Sequence, residues 1–429
     1  MSDSIPASIP VSELRIGLYI HLDVGWMEHP FPLSSFKITS DEQIAIIRNL
    51  GLTSIRYSPD KSEPPPSNTA IETVVSPVVA QNTTPLLSAD DQEKAQRAAL
   101  LSAQRQAQNQ CERQYQESAR AVRAVFEQSH SSPEQAGQSC ARLVSDMVQQ
   151  LHGHEESALR LLAEGHGDRA TLHALNVSVL SLLLGKTLQL DTSSLEILGQ
   201  AALVHDIGKS ELPERVRYRD DSFTTAHFKL YQEHVGQSVL KARQMGLPPS
   251  ALLAISQHHE MADGSGFPLG LKADKMVPVA RILALINRYE GLCNPPNPLK
   301  ALTPHEALSL IFSSMKERFE KVTLNAFIRM MGVYPPGSVV QLTDERYALV
   351  MSVNASRPLK PRVLVVDRAI ASEDAILLDL QAEKTLGIQR SLRPDQLPRH
   401  ALTYLSPRQR ICYYFERAVS AQAPAEMAA

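Results

Sequence analysis

Over the first sixty residues the apolar positions follow a two-residue period and then a helical one. Gly17-Leu-Tyr-Ile-His-Leu-Asp23 alternates as a half-buried strand does, and Ser40 to Leu50 repeats apolar residues at helical spacing behind a Ser-Asp-Glu start. Residues 1–60 are therefore expected to form a compact α+β module. Residues 61–87 carry Pro64-Pro65-Pro66, Pro77 and Pro85 among many Ser, Thr and Asn, the composition of an extended linker. Behind Ser88, with Asp90 and Asp91 as capping residues, the text to Gln128 is rich in Ala, Gln, Arg and Glu and poor in large apolar side chains. Residues 88–159 thus read as a helical spacer, either solvated or a weak homodimer helix. Ser132-Pro133-Glu134 restarts the helix, with Leu143, Met147 and Leu151 on one face.

From Ser132 to about Met331 nearly everything reads helical, with the helical domain expected over 160–335. Tyr334-Pro-Pro-Gly337 then turns the chain. Short β-type runs follow at Val339–Leu342, Tyr347–Val353 and Arg362–Asp367, so residues 336–429 are expected to be a β-rich C-terminal extension with a frayed tail from Ser420. The expected class is mainly α, with a small α+β module in front and a small β-rich extension behind.

Composition narrows the function. The chain has 429 residues, 43% hydrophobic and 21% charged, enough apolar side chain for more than one core. A net charge of -3 offers no basic field for a nucleic acid polymer. Cys111, Cys140, Cys293 and Cys412 are widely spaced and form no C-x-x-C pair, which argues against a zinc knuckle or disulfide framework and fits a reducing compartment. Met1 to Val11 has no signal-peptide character and no apolar run reaches membrane-span length, so the expectation is a cytoplasmic protein without a membrane partner.

Candidate chemistry is concentrated in the helical stretch. It holds His173, then Leu203-Val-His205-Asp206-Ile-Gly-Lys209, His234, His258-His259-Glu260, and Asp263-Gly264-Ser-Gly266-Phe267-Pro268. Imidazole and carboxylate are ligands for iron, manganese or zinc, and one carboxylate can bridge two ions. A helix from Leu198 to Gly208 would put His205 beyond a core-facing stripe, with Lys209 four residues on and on the same face, where its ammonium could offset phosphate charge. Thr224 or Thr225 would cap the helix bearing His234. Gly264 and Gly266 would allow a tight loop that a bulky phosphodiester approaches. Taken singly, a histidine on an apolar helical face is far more often a core or surface residue than a ligand.

In order and context these strings resemble the HD-GYP family across about 170 residues, with LVHDIGK, His234-Val-Gly236 and HHE-x-x-DG-x-G-F-P in place of the family's patterns. Residues Ile9–Gly17 and Trp26–Pro32 are similar to a domain of unknown function often found before HD-GYP domains. The resemblance implies an all-helical HD-type metallophosphohydrolase domain. It implies two divalent metal ions (iron, manganese or zinc-like) held by His173, His205, Asp206, His234, His258 and His259, with Asp206 and Lys209 as the catalytic residues. It further implies cyclic di-GMP as substrate, hydrolysed to linear pGpG or GMP in bacterial second-messenger signalling, and other signalling domains as partners. Asp263, Gly264, Gly266, Phe267 and Lys300 would contact the nucleotide.

Four positions depart from the family pattern. Asn287 stands where the family has an aspartate ligand, offering only a neutral carbonyl oxygen and hence a weak metal contact, while Glu290 three residues on has a longer arm that would compensate. Arg169 replaces a carboxylate that some relatives use for a third ion, which limits the expected number to two. Asn294-Pro-Pro-Asn-Pro-Leu299 replaces an Arg-Pro-Tyr segment and leaves Lys300 as the matching base. Phe267 replaces a tyrosine, losing its hydroxyl but keeping the ring. Asn287 and the missing Arg-Pro-Tyr fit a degenerate, non-catalytic signalling or nucleotide-binding module. The retained ligand-type side chains and Lys209 favour the enzyme.

Overall fold

The computed structural model describes residues 7–22, 35–48, 52, 54–63, 89–153, 157–162, 168–219, 222–354 and 357–417. The Trp26–Pro32 string, most of the Pro-rich segment, the capping Ser88 and the Ala-rich tail from Ser420 lie outside them. Two compact units are present, residues 1–86 and 87–429.

The first unit contains β1 (Ala7–Pro10), β2 (Tyr19–His21), β3 (Ser35–Lys37), α1 (Asp41–Arg48) and β4 (Ser54–Tyr57). The strands form an antiparallel sheet in the order β1-β4-β2-β3. Alternation in β2 sends Ile20 inward, where it meets Ile38, Ile44, Ile47 and Ile55 in a small core. This is the α+β module expected from the pattern.

The second unit begins with α2 (Ala89–Ser131) and α3 (Pro133–His152), followed by β5 (Ser157–Leu161), α4 (Arg169–Thr187), α5 (Thr192–Val204), α6 (Thr225–Gln244) and α7 (Pro249–Ser256). It continues through α8 (Pro278–Cys293), α9 (Pro304–Ser314) and α10 (Lys321–Met331). Helix α4 is the hub. It is apolar around nearly its whole circumference and packs against α2, α5, α8 and α10. The Asp168 side chain fixes its start by accepting from the Thr171 N–H at 2.9 Å.

Helix α2 departs from the solvated-spacer expectation over its second half. Cys111, Tyr115, Val122 and Val125 recur at helical spacing and are buried, and the Cys111 thiol donates to the Phe415 carbonyl. A stripe of four medium-sized side chains, diluted by polar residues, is enough to dock this helix on the core. Residues 91–100 are mostly exposed.

The stretch expected to be all-helical also contains a strand. Strand β5 joins the C-terminal strands β6 (Val339–Leu342), β7 (Tyr347–Asn354), β8 (Arg362–Val365), β9 (Leu378–Asp379), β10 (Ile388–Leu392) and β11 (Tyr413–Arg417). The path runs β10-β6-β7-β5-β11, with β8 on the other side of β7 and β9 beyond it. One further helix, α11 (Arg399–Leu405), lies in this region, so the extension is β-rich but mixed. Because β5 pairs with both β7 and β11, the helical body and the extension share one sheet. All four cysteines are buried and free, and among the described residues no helix is long and apolar enough to cross a membrane.

At the β5–β11 seam, Arg160 is 1% exposed and donates to Glu416 at 2.9 Å, with Arg362 at 3.5 Å from the same carboxylate oxygen. Removing one partner of a buried ion pair strands a charge in a poor solvent, whereas an apolar pair of similar volume does not. Arg160→Met is expected to cost about 3–5 kcal/mol in urea unfolding. The double variant Arg160→Met/Glu416→Leu should recover most of that loss.

Candidate metal centre

Helix α5 ends at Val204, earlier than its apolar period suggested. His205 is its C-terminal cap, Asp206 takes φ -103° and ψ 6°, and Ile207–Glu211 form a 3-10 turn. Just past the break the chain runs close to α6 and requires a glycine: a Cβ on Gly208 would lie 2.3 Å from the Ser238 nitrogen and 2.4 Å from the His234 carbonyl oxygen. The close approach brings His205-Asp206 against His234. It also changes the geometry of Lys209, which reaches Asp206 across the turn and does not share a helical face with His205.

The imidazoles point inward with their tautomers set from behind. Each Nδ1–H donates to a carbonyl three residues earlier: His205 to Ala202 at 2.8 Å, His234 to Tyr231 at 2.5 Å and His258 to Ile255 at 2.6 Å. That leaves the Nε2 lone pairs facing one another. His173 Nε2 stands 3.0 Å from His205 Nε2, and His234 Nε2 stands 3.3 Å from His258 Nε2 and 3.1 Å from His259 Nε2.

The Asp206 carboxylate lies between these sets. Its Oδ2 is 3.3 Å from His173 Nε2 and 3.6 Å from His205 Nε2, and its Oδ1 is 3.3 Å from His234 Nε2 and 3.6 Å from His258 Nε2. Two ligand groups result, Asp206-His234-His258-His259 and His173-His205-Asp206, with Asp206 common to both. The buried Oδ1 makes no hydrogen bond. An orphaned carboxylate oxygen and imidazole lone pairs within hydrogen-bonding distance of each other form an arrangement that repels itself unless cations fill it, so the donor set fits divalent metal.

Charge tuning points the same way. Burial pushes His258 down and holds His205 and His259 well below the ordinary histidine range, leaving neutral ligands at pH 7. Burial works against the Asp206 carboxylate, yet Lys209 and the surrounding imidazoles hold it well below its usual range. His173 differs: against burial, Glu290 and Asp206 push it up to about 9, and a cation at Nε2 would replace that proton. The Lys209 ammonium pairs with Asp206 and lies 5.5 Å over the Tyr231 ring.

Glu290 does not take the place of a missing ligand. Its carboxylate accepts from His173 Nδ1 at 2.5 Å, on the ring edge remote from the cluster, because α8 approaches α4 from behind. Asn287 is buried one turn earlier on α8. Arg169 donates to the Pro295 and Pro296 carbonyls at 2.9 and 3.0 Å, so this guanidinium anchors the segment that replaces Arg-Pro-Tyr.

The expected nucleotide contacts are less uniform. Gly266 lets the loop fold onto its own backbone: its Cβ position lies 2.4 Å from the Met261 nitrogen and 2.5 Å from the His259 oxygen. Glu260 pins it by accepting from the Leu269 and Leu271 N–H groups. Gly264 takes φ +83°. Asp263 is exposed and accepts from Ser265 N at 2.9 Å and Ser265 Oγ at 2.6 Å. Phe267 stacks on His259 at 4.4 Å and meets Phe228 edge-on at 5.5 Å. Lys300 is exposed in the 3-10 turn Pro298–Lys300.

Three arginines escaped the sequence reasoning. Arg219 lies 5.0 Å over the Phe228 ring. Burial and then the nearby Arg318 and Arg219 charges lower the proton affinity of Arg288, beside Asn287 on α8. They lie far apart in sequence and no short motif marks them.

Three family models match the chain in succession. A domain of unknown function (DUF3391) matches residues 7–140, an HD domain matches 138–321, and a KOW domain associated with HD domains matches 339–400. The chain is 25% identical over 366 residues to a cyclic di-GMP phosphodiesterase of Pseudomonas aeruginosa, covering 83% of this chain and 84% of that protein. It is 22% identical over 192 residues to a cyclic di-GMP phosphodiesterase of Borreliella burgdorferi, covering 45% and 51% respectively. Among solved structures, an HDG"Y"P protein from Bdellovibrio bacteriovorus aligns with a TM-score of 0.41 at 16% identity, over 75% of this chain and 98% of that one. The chain therefore carries a match to an HD domain over residues 138–321, with a DUF3391 match in front and an HD-associated KOW match behind, and is similar to cyclic di-GMP phosphodiesterases.

Proposed function

We propose that the protein is a metal-dependent phosphodiesterase that hydrolyses cyclic di-GMP to linear pGpG or GMP in bacterial signalling. The observation that carries this reading is the sharing of Asp206 between two ligand groups, one built on His173 and His205 and the other on His234, His258 and His259. Divalent ions of the iron, manganese or zinc type in these positions supply Lewis acidity that activates water near neutral pH. The names of the Pseudomonas and Borreliella relatives support the substrate.

The chain's own residues have separate tasks. The Nδ1–H bonds to Ala202, Tyr231 and Ile255 keep Nε2 of three histidines available for metal. Lys209, held by Asp206 and backed by Tyr231, stabilises negative charge developing on the phosphoryl oxygens. In the hydrolysis a water releases a proton as its oxygen forms the new bond to phosphorus, the bond from phosphorus to the ribose 3′ oxygen breaks, and the leaving oxygen takes up a proton. Phe267, stacked on His259, offers an apolar wall to the nucleotide, and the mutually close Arg219, Arg288 and Arg318 offer positive charge for its phosphates.

Protein purified without oxygen is expected to carry about two divalent ions per chain and to convert cyclic di-GMP to a linear product with Mn²⁺ or Fe²⁺, read by elemental analysis and chromatography. No bound metal and no product would refute the proposal and leave a non-catalytic module. Asn287→Asp adds a charged oxygen donor to the buried wall. It should tighten Mn²⁺ binding by an order of magnitude, roughly 1.4 kcal/mol. Unchanged affinity in a titration would show that position 287 does not face metal.

A further inference from the structure

We infer that the C-terminal segment Ile411–Tyr413 is a positioning element of the metal centre, acting through Asn176, Asn294 and Glu290 on His173. The inference rests on the metal reading above and adds a role for chain beyond the HD and KOW matches, which end at residues 321 and 400.

The links are continuous and short. Asn176, one turn after His173 on α4, is fully buried; its Nδ2 donates to Glu290 Oε1 at 3.2 Å and to the Ile411 carbonyl at 2.7 Å. Its Oδ1 accepts from the Tyr413 N–H at 3.0 Å. Asn294, the C-terminal cap of α8, repeats the pattern: Nδ2 donates to Glu290 Oε1 at 2.8 Å and to the Ile411 carbonyl at 2.9 Å, and Oδ1 accepts from the Ile411 N–H at 2.9 Å. Both amides therefore have their oxygen ends occupied by backbone N–H donors of the C-terminal segment.

Orientation follows from that occupancy. An amide can present either oxygen or NH₂ to a neighbour, and an oxygen turned toward the Glu290 carboxylate would repel it. The Ile411 and Tyr413 N–H groups exclude the flipped form, so both NH₂ groups are directed at Glu290 Oε1. Held there, the other carboxylate oxygen grips His173 Nδ1 at 2.5 Å and aims Nε2 at His205 and Asp206. Without the segment, a buried carboxylate behind a ligand histidine would lose the donors that hold it. Only the His173-His205-Asp206 group is supported this way, because His234 and His258 are oriented by backbone carbonyls.

The test uses the full chain and Mn²⁺ alone. The unaltered protein should show two classes of Mn²⁺ binding in calorimetry. Asn294→Ala should weaken one class about 10–100-fold and leave the other unchanged, the range usual for loss of a residue that supports a metal ligand. Asn294→Asp keeps an oxygen for the Ile411 N–H but removes the donor to Glu290. It should weaken the same class at least as much, and it serves if the alanine variant does not fold. In a Glu290→Gln background, Asn294→Ala should add little, since both changes act on one link. A folded Asn294 variant that leaves both classes unchanged, lowers both equally, or adds its full effect to Glu290→Gln would overturn the inference alone. Absence of Mn²⁺ binding by the unaltered protein would overturn the metal reading and this inference with it.

Discussion

The Asp206 carboxylate is the constraint on which the centre is built. It is buried among imidazoles, and its two oxygens face different sets of them: His173 and His205 on one side, His234 and His258 on the other. A buried carboxylate is costly without partners. The Lys209 ammonium offsets part of that cost, but Oδ1 is left without a hydrogen bond. The fold makes a close backbone approach here, at Gly208 against α6, which brings His205-Asp206 beside His234.

Around this point the structure separates support from chemistry. Backbone carbonyls orient three histidines, so those ligands depend only on the helices that carry them. His173 depends on a side chain, and that side chain depends on amides whose other ends are fixed by the C-terminal segment. The shared β5–β11 seam, with Arg160 buried against Glu416, fixes the strand that follows this segment. A change far from the candidate centre in sequence thus has a short physical route to His173. The loop after His259 is likewise tied down, with Gly266 packed on the His259–Met261 backbone and Glu260 holding two N–H groups.

Much of this was legible in the sequence. The histidines that the structure brings together stand in strings the sequence displays, His205 and His258-His259 just past helix ends and His173 and His234 within α4 and α6, and the α+β module follows from plain alternation around Ile20. Other features were not legible because they come from contacts between distant segments. Helix α5 stops at Val204 and the chain then passes close to α6 at Gly208, an approach that the apolar period of α5 cannot register. Strand β5 is five residues long and becomes a strand by pairing with β7 and β11, far along the chain. Glu290 lies on the expected helix, but its direction, toward Nδ1 of His173 and not toward the cluster, is set by how α8 meets α4. The buried half of α2 was concealed by its polar composition.

The most direct test of the central claim is electron paramagnetic resonance of the protein loaded with Mn²⁺. Two ions bridged by the Asp206 carboxylate should give an exchange-coupled spectrum, and Asp206→Asn should abolish the coupling. A simple six-line signal from isolated ions at full loading, or a coupled signal that survives Asp206→Asn, would contradict the shared-carboxylate account.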